Sequence, residues 1–273
     1  MKIAICAPST PFTRESAEHV RHIAAEEFPD AELMFHDQGF VEDGHFAGND
    51  EIRLNAFISV ANDPQVDAVW FARGGYGAAR IAGQAMSHLG DTAWDKIYMG
   101  YSDAGNMLGA LYRAGIGRPV HGPMPADIRR SGGKEAICRA LDYLVNGGTG
   151  GLEPHIRPGH KYAAFNLMTL SMMAGTEIMP DLSGHVVMME EVSEYHYAFD
   201  RAMFHVTANL RQMGVAGLMM GRVNDIPEND RPFGAEVDEI VHYWCAHHDL
   251  PYLGPADIGH DADNHIVPFG LAT

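Results

Sequence analysis

The sequence predicts an α/β protein: a doubly wound, mainly parallel N-terminal sheet followed by a smaller α/β C-terminal domain. Three observations carry this. Apolar runs at residues 68–72 and 97–100 show no polar alternation, as expected of strands covered on both faces by crossover helices. Each run ends in a glycine-bearing turn and leads into a stretch of helical character, residues 78–89 and 104–114. A tract rich in glycine and proline (Gly147, Gly148, Gly150, Gly151, Pro154, Pro158, Gly159) then interrupts the chain. Such a composition holds neither helix nor strand and marks a boundary. The division is therefore 1–146, a linker at 147–161, and 162–273.

In chain order, residues 2–7 read as the first strand, closed by the turn Pro8-Ser9-Thr10-Pro11. A helix over 14–28 follows from the spacing of Ala17, Val20, Ile23 and Ala24. Residues 31–36 form a second strand, and 39–49 a polar loop at the rim of the crevice. Helical periodicity returns over 50–62 through Ile52, Leu54, Ile58 and Val60. The two strand–turn–helix units come next. His121, near them in sequence, reads as structural or pocket-lining, and a helix over 134–145 closes the first domain. The second domain opens with a helix over 166–174, whose Met168, Met172 and Met173 fit core packing. An apolar strand over 185–189 delivers Glu190 and Glu191 to opposite faces, so that one can orient a histidine while the other stays in solvent. A helix (197–213), a strand (217–223), a helix (233–248) and a short strand (251–253) lead to Gly259-His260 on a loop.

Composition narrows the function classes. A hydrophobic fraction of 46% over 273 residues supports a sizeable core and argues against disorder. The net charge of −17 disfavours a nucleic acid or an anionic membrane as partner. Cys6, Cys138 and Cys245 are too few and too scattered for a disulfide framework or a zinc site. The apolar run before Pro8 is too short for a signal peptide, and a cytoplasmic location is the expectation. Glu239 and His242 stand at i, i+3 on a helix with His247 and His248, but no His-Glu-x-x-His pattern accompanies them. We expect no metal and no organic cofactor.

In parallel α/β sheets reactive groups sit beyond the carboxyl ends of the strands. Two strand ends here point at one crevice. One carries Arg73, Gly74, Gly75, Tyr76 and Gly77; the other carries Gly100, Tyr101, Ser102 and Asp103. A serine on a tight strand-to-helix turn is held in the open beside unpaired helix amides that favour an oxyanion. Ser102 is the candidate nucleophile, and Gly74-Gly75 the candidate source of a second amide. The alternative is that Ser102 caps the helix and Asp103 complements its dipole. The fifth position of the motif is Ala104, so this is not Gly-x-Ser-x-Gly.

The segments ARGGYGAARI and GYSDAGNMLGALYRAGIGRPVHGPM resemble the LD-carboxypeptidases of murein recycling, a family that includes microcin C self-immunity peptidases. The opening IAICAPST, the stretch HVVMMEEVSEYHYAFDR and the ending GHDADNHIVPFG extend the resemblance along nearly the whole chain. It implies a triad of Ser102, Glu190 and His260, with oxyanion amides near Gly75 and Asp103. It implies cleavage of the L-to-D amide bond of a murein tetrapeptide, with release of terminal D-alanine. Alternatives are a hydrolase of peptidyl or aminoacyl nucleotides and, from another class, a non-enzymatic binding protein with an anion site at the glycine loop. Arg73 is a candidate for the substrate carboxylate or for a structural ion pair, and Gly74 and Tyr76 line the same region. Tyr76 can equally pack under the loop. Because the peptide is anionic, local cations such as Arg73 or Arg80 must draw it in. Members are often homodimers. Two positions depart from the family pattern: Gly105 replaces a common threonine, and Ala164-Phe165-Asn166 replaces Gly-Gly-Asn.

Overall fold

The structure, a computed structural model, describes residues 1–273. Its first half contains β1 (Lys2–Cys6), α1 (Arg14–Glu27), β2 (Glu32–Phe35), α2 (Asp50–Asn62), β3 (Ala68–Phe71) and α3 (Ala79–Met86). It continues through β4 (Ile97–Gly100), α4 (Gly105–Ala114), β5 (Arg118–His121) and α5 (Gly133–Leu141). The strands pair in parallel in the order β5-β4-β3-β1-β2. Every residue of β3 and β4 is buried, which is why neither run alternates. Thr13 and Asn49 cap α1 and α2 by accepting the amides of Ser16 and Ile52. Gly115, with φ +68°, ends α4 in the left-handed conformation that glycine adopts without strain.

The second half contains β6 (Lys161–Asn166), α6 (Leu167–Met173), β7 (His185–Val192), α7 (His196–Met213) and β8 (Gly217–Asn224). After α8 (Val237–His247) come β9 (Tyr252–Pro255), β10 (Val267–Pro268) and β11 (Gly270–Leu271). Here the order is β11-β6-β7-β8-β9, with β6 to β9 parallel. Besides β10 and β11, which the sequence reading did not contain, two elements differ from the sequence expectation. A strand, β6, precedes the helix expected at 166–174; its short apolar run follows the glycine-rich tract and has no period to read. Helix α8 starts at Val237 rather than 233, after Pro232 and Gly234 (φ +92°).

The chain's end ties the halves together. Strand β10 pairs antiparallel with β5 of the first sheet, and β11, three residues on, pairs antiparallel with β6 of the second. One hydrophobic cluster runs through both halves, from Phe71, Met107 and Leu111 to Phe165, Met173 and Val187. At the α4–α6 junction a Cβ on Gly105 would lie 3.3 Å from Thr169 Cγ2 and 3.5 Å from Phe165 Cδ1. The two departures from the family pattern thus face each other: a Cβ at 105 would be in van der Waals contact with Phe165 and tight against Thr169. The carboxyl ends of β3, β4, β6 and β7 consequently open on a common crevice.

Candidate active site

Tyr101 leaves β4 extended, and Ser102 then adopts φ +58° before the chain winds into α4. A non-glycine residue held there costs on the order of 1–3 kcal/mol, and such strain concentrates at functional positions. A Cβ on Gly100 would sit 3.0 Å from Phe71 Cδ2 and 3.2 Å from Ala104 Cβ, so the sharp turn needs glycine two residues before the serine. No side chain caps the α4 N-terminus, which speaks against Ser102 as a helix cap.

The glycine loop after β3 lies directly on this turn. A Cβ on Gly74 would come within 2.8 Å of Ser102 Oγ and 3.4 Å of the Asp103 amide nitrogen. Gly75 has φ +109°, and a Cβ there would collide with Thr10 Cγ2 at 2.4 Å. Thr10 Oγ1 fixes the loop by donating to the Gly74 carbonyl at 2.6 Å. Gly74 is thereby packed against the Ser102 hydroxyl, and Gly75 lines the same cavity as Ser102.

Across the crevice β7 carries Glu190, completely buried, whose Oε2 meets Nδ1 of His260. His260 is itself buried, and its ring lies 4.8 Å from that of Tyr101. Burial alone would push its pKa down, but the Glu190 charge and hydrogen bond prevail and raise it. Its loop is anchored by three side chains the sequence did not single out for this purpose. Asn224 Oδ1 accepts the His260 amide at 3.0 Å, and Asn264 Oδ1 accepts the Gly259 amide at 3.2 Å. Arg222 holds Asp261 through Nε at 2.5 Å and Nη2 at 2.8 Å. His121 is structural: fully buried, with Nε2 3.0 Å from Asn264 Oδ1, and depressed in pKa by burial.

Ser102 and His260 line one cavity of about 490 Å³ with Tyr101, Arg73, Arg129 and Arg130. Arg130 pairs with Asp127 at 2.9 Å, whereas neither Arg73 nor Arg129 forms a salt bridge. Burial and the nearby Arg129 charge both lower the Arg73 pKa, so two uncompensated guanidiniums share this wall. The ion-pair role considered for Arg73 is absent. Arg80, the other expected steering cation, does not line the cavity; it is bound to Asp50, Nη2 to Oδ2 at 2.7 Å. A second cavity of about 230 Å³ adjoins Ser102 on the side of Tyr76, Asn166 and Glu191. Tyr76 both lines it and packs on the 39–49 loop, its ring 6.1 Å from Phe46.

Glu191 corrects the sequence reading. Expected in solvent, it is buried, because α6 covers the face of β7 opposite Glu190. It accepts Asn166 Nδ2 at 2.6 Å and the amides of Met168 and Val192, both at 2.8 Å. Burial pushes its pKa up to about 7. Asn166 in turn caps α6 at Thr169, whose hydroxyl reaches the Ser102 carbonyl at 3.4 Å. The Glu191 charge also helps to raise the pKa of His260. Glu191→Gln should therefore move the acidic limb of kcat/KM to lower pH, read from a pH–rate profile. It should also cost about 1–3 kcal/mol of stability in urea denaturation, since amide hydrogens would face N–H donors.

A strained serine turn, a glycine loop packed on it and a buried Glu–His pair whose histidine lines the same cavity lie between two α/β halves, an arrangement of the kind found in two-domain α/β hydrolases. The chain belongs to the LD-carboxypeptidase family. Residues 3–122 match the family's N-terminal domain and residues 162–273 its C-terminal domain. It is 25% identical over 242 residues to the murein tetrapeptide carboxypeptidase of Pseudomonas aeruginosa, covering 83% of this chain and 78% of that one. The fold is shared with the muramoyltetrapeptide carboxypeptidase of Oxalobacter formigenes, with a TM-score of 0.79 and 22% identity over 100% of this chain and 96% of that one. It is also shared with the microcin C7 self-immunity protein MccF, with a TM-score of 0.77 and 16% identity over 98% and 91% of the two chains.

Proposed function

We propose that this protein is a serine carboxypeptidase that cleaves the L-to-D amide bond of murein tetrapeptide and releases D-alanine. The observation carrying this reading is the single cavity that holds Ser102, His260 and two unpaired guanidiniums, Arg73 and Arg129. In the proposed reaction His260 Nε2 takes the Ser102 proton as Oγ attacks the scissile carbonyl. Glu190, bonded to Nδ1, keeps Nε2 free to accept and then stabilises the imidazolium. The amides of Gly75 and Asp103 receive the oxyanion. His260 returns the proton to the departing amine of D-alanine; water activated by the same ring then releases the tripeptide. No step requires a metal or an organic cofactor.

Arg73 and Arg129 suit the free carboxylate of the departing alanine, because guanidinium forks match carboxylates. Arg129→Ala should lower kcat/KM for the free-acid tetrapeptide by roughly 10- to 100-fold, the usual worth of a charged hydrogen bond. The C-terminal amide, already a poor substrate, should lose far less. Kinetics on the two substrates check this.

The function itself is tested by incubating the protein with murein tetrapeptide and following D-alanine and tripeptide by mass spectrometry. The guanidinium cluster also fits a phosphate, so an aminoacyl nucleotide belongs in the same assay. Cleavage of the nucleotide alone would favour the self-immunity reading. A cytoplasmic location accompanies the recycling role, and no helix is long and apolar enough to cross a membrane. Assembly as a homodimer is part of the same proposal; exposed Phe204 and Tyr243 on α7 and α8 support an apolar contact face.

A further inference from the structure

The Asp103 side chain has no part in the reaction above, yet it is one of the most heavily bonded groups near the crevice. Only 6% exposed, its Oδ2 accepts the Ser9 hydroxyl at 2.5 Å and the Ala78 amide at 2.9 Å. Its Oδ1 accepts Asn106 Nδ2 at 3.1 Å, and the same nitrogen donates to the Asp103 carbonyl at 3.0 Å. Beside it lies a buried cation, Arg53, whose pKa is lowered first by burial and partly restored by acidic neighbours including Asp103. Arg53 Nη1 donates to the carbonyls of Pro8 and, at 2.8 Å, of Gly77.

The pattern is complementary. The cation takes the acceptors of two chain joints, Pro8 and Gly77, and the anion takes the donors of the next residues, Ser9 and Ala78. Arg53 also pairs with Asp50 and donates Nε to the Gly48 carbonyl at 3.2 Å. The two turns therefore satisfy most of the Asp103 carboxylate and part of the guanidinium, and neither turn can shift without costing each charge a partner. The first turn also holds Thr10, which fixes Gly74; the second ends the glycine loop that carries Gly75. Asp103 is itself the residue after Ser102. Its carboxylate thus mechanically joins the two backbones that carry the amides assigned to the oxyanion.

We propose that the carboxylate of Asp103 and the guanidinium of Arg53 are paired positioning residues that hold the Gly75 and Asp103 amides at the separation a tetrahedral oxyanion requires. The proposal rests on the reading of Ser102 as nucleophile. Its prediction is a loss confined to the transition state. Asp103→Asn removes the charge and leaves one oxygen for two acceptor positions, so an amide N–H must face either the Ser9 and Ala78 donors or Asn106 Nδ2. It should lower kcat by roughly 100-fold, the scale of one misplaced oxyanion donor, with KM changed less than about threefold. Ser9→Ala removes one bond only and should show the same signature at roughly 10-fold or less.

The deciding experiment compares two ligands across wild type, Asp103→Asn, Ser9→Ala and Arg53→Lys. One is the tripeptide product. The other is the tripeptide aldehyde: Ser102 Oγ adds to its carbon, the hydroxyl proton passes to His260, and the carbonyl oxygen becomes the oxyanion. Aldehyde affinity should fall in parallel with kcat while product affinity holds. If both affinities fall together, or if folded Asp103→Asn and Ser9→Ala keep wild-type kcat, the proposal is overturned. Ser102→Ala, run alongside, separates the two ideas. Should it bind aldehyde and release D-alanine as wild type does, the nucleophile assignment is at fault rather than the clamp.

Discussion

Ser102→Ala should abolish D-alanine release, lowering kcat by about 10³- to 10⁶-fold, while the variant still binds tetrapeptide. The loss follows from chemistry: in the proposed reaction His260 would have no hydroxyl to deprotonate, and the amides assigned to the oxyanion no adduct to stabilise. Binding should survive because Arg73 and Arg129, on the cavity wall, are untouched. Stability separates this effect from unfolding. Alanine at φ +58° is as strained as serine, so the melting temperature should change little. Ser102→Gly should be equally inactive but should gain on the order of 1 kcal/mol in denaturant unfolding, because glycine adopts that conformation without strain. A full range of activities with unchanged structure would place the chemistry elsewhere.

Glu190→Gln should lower kcat by about 10³- to 10⁴-fold with a modest change in KM. Glu190 accepts from Nδ1 of His260 and so leaves the Nε2 lone pair free to accept a proton. Glutamine can donate to Nδ1 instead, which moves the ring proton to Nε2 and removes the base. The pH profile gives a second reading. In the proposed reaction His260 acts as a neutral base, so kcat/KM should fall as pH drops through its pKa. Glu190 raises that pKa, so the acidic limb of the wild type should lie above the ordinary histidine value of about 6.5. In Glu190→Gln the residual activity should show a limb displaced downward, because burial remains and the stabilising charge is gone. An unshifted limb would show that this pair does not govern the rate.

The fold was legible where local pattern and global packing agree. Unbroken apolar runs followed by glycine turns marked β3 and β4 because both faces of those strands are covered. Strand β6 escaped because four apolar residues beside a glycine-rich tract carry no period. Within the site, Ser102 was visible from its turn, whereas Glu190 and His260 came from resemblance to a family; the structure brings all three to one crevice. Adjacent carboxylates on a strand do point apart, but whether the second meets solvent depends on what packs there, and α6 covers Glu191. Arg53, Arg129 and Arg222 were illegible for a related reason. Arg53 has Asp50 three residues away, but its bonds to Pro8 and Gly77, those of Arg222 to Asp257 and Asp261, and the cavity wall that Arg129 joins all come from distant segments, and an arginine alone does not say which carbonyl or carboxylate it will meet.

The assignment of Ser102 as the attacking group can be examined with a tetrapeptide analogue whose scissile carbonyl is replaced by a fluorophosphonate, followed by peptide mapping. Attack by Oγ would form a P–O bond, expel fluoride and leave a stable adduct. We predict one equivalent attached at Ser102, with D-alanine release lost in proportion to labelling and protected by tetrapeptide. Labelling of a different residue as activity is lost, or full activity with Ser102 occupied, would contradict it.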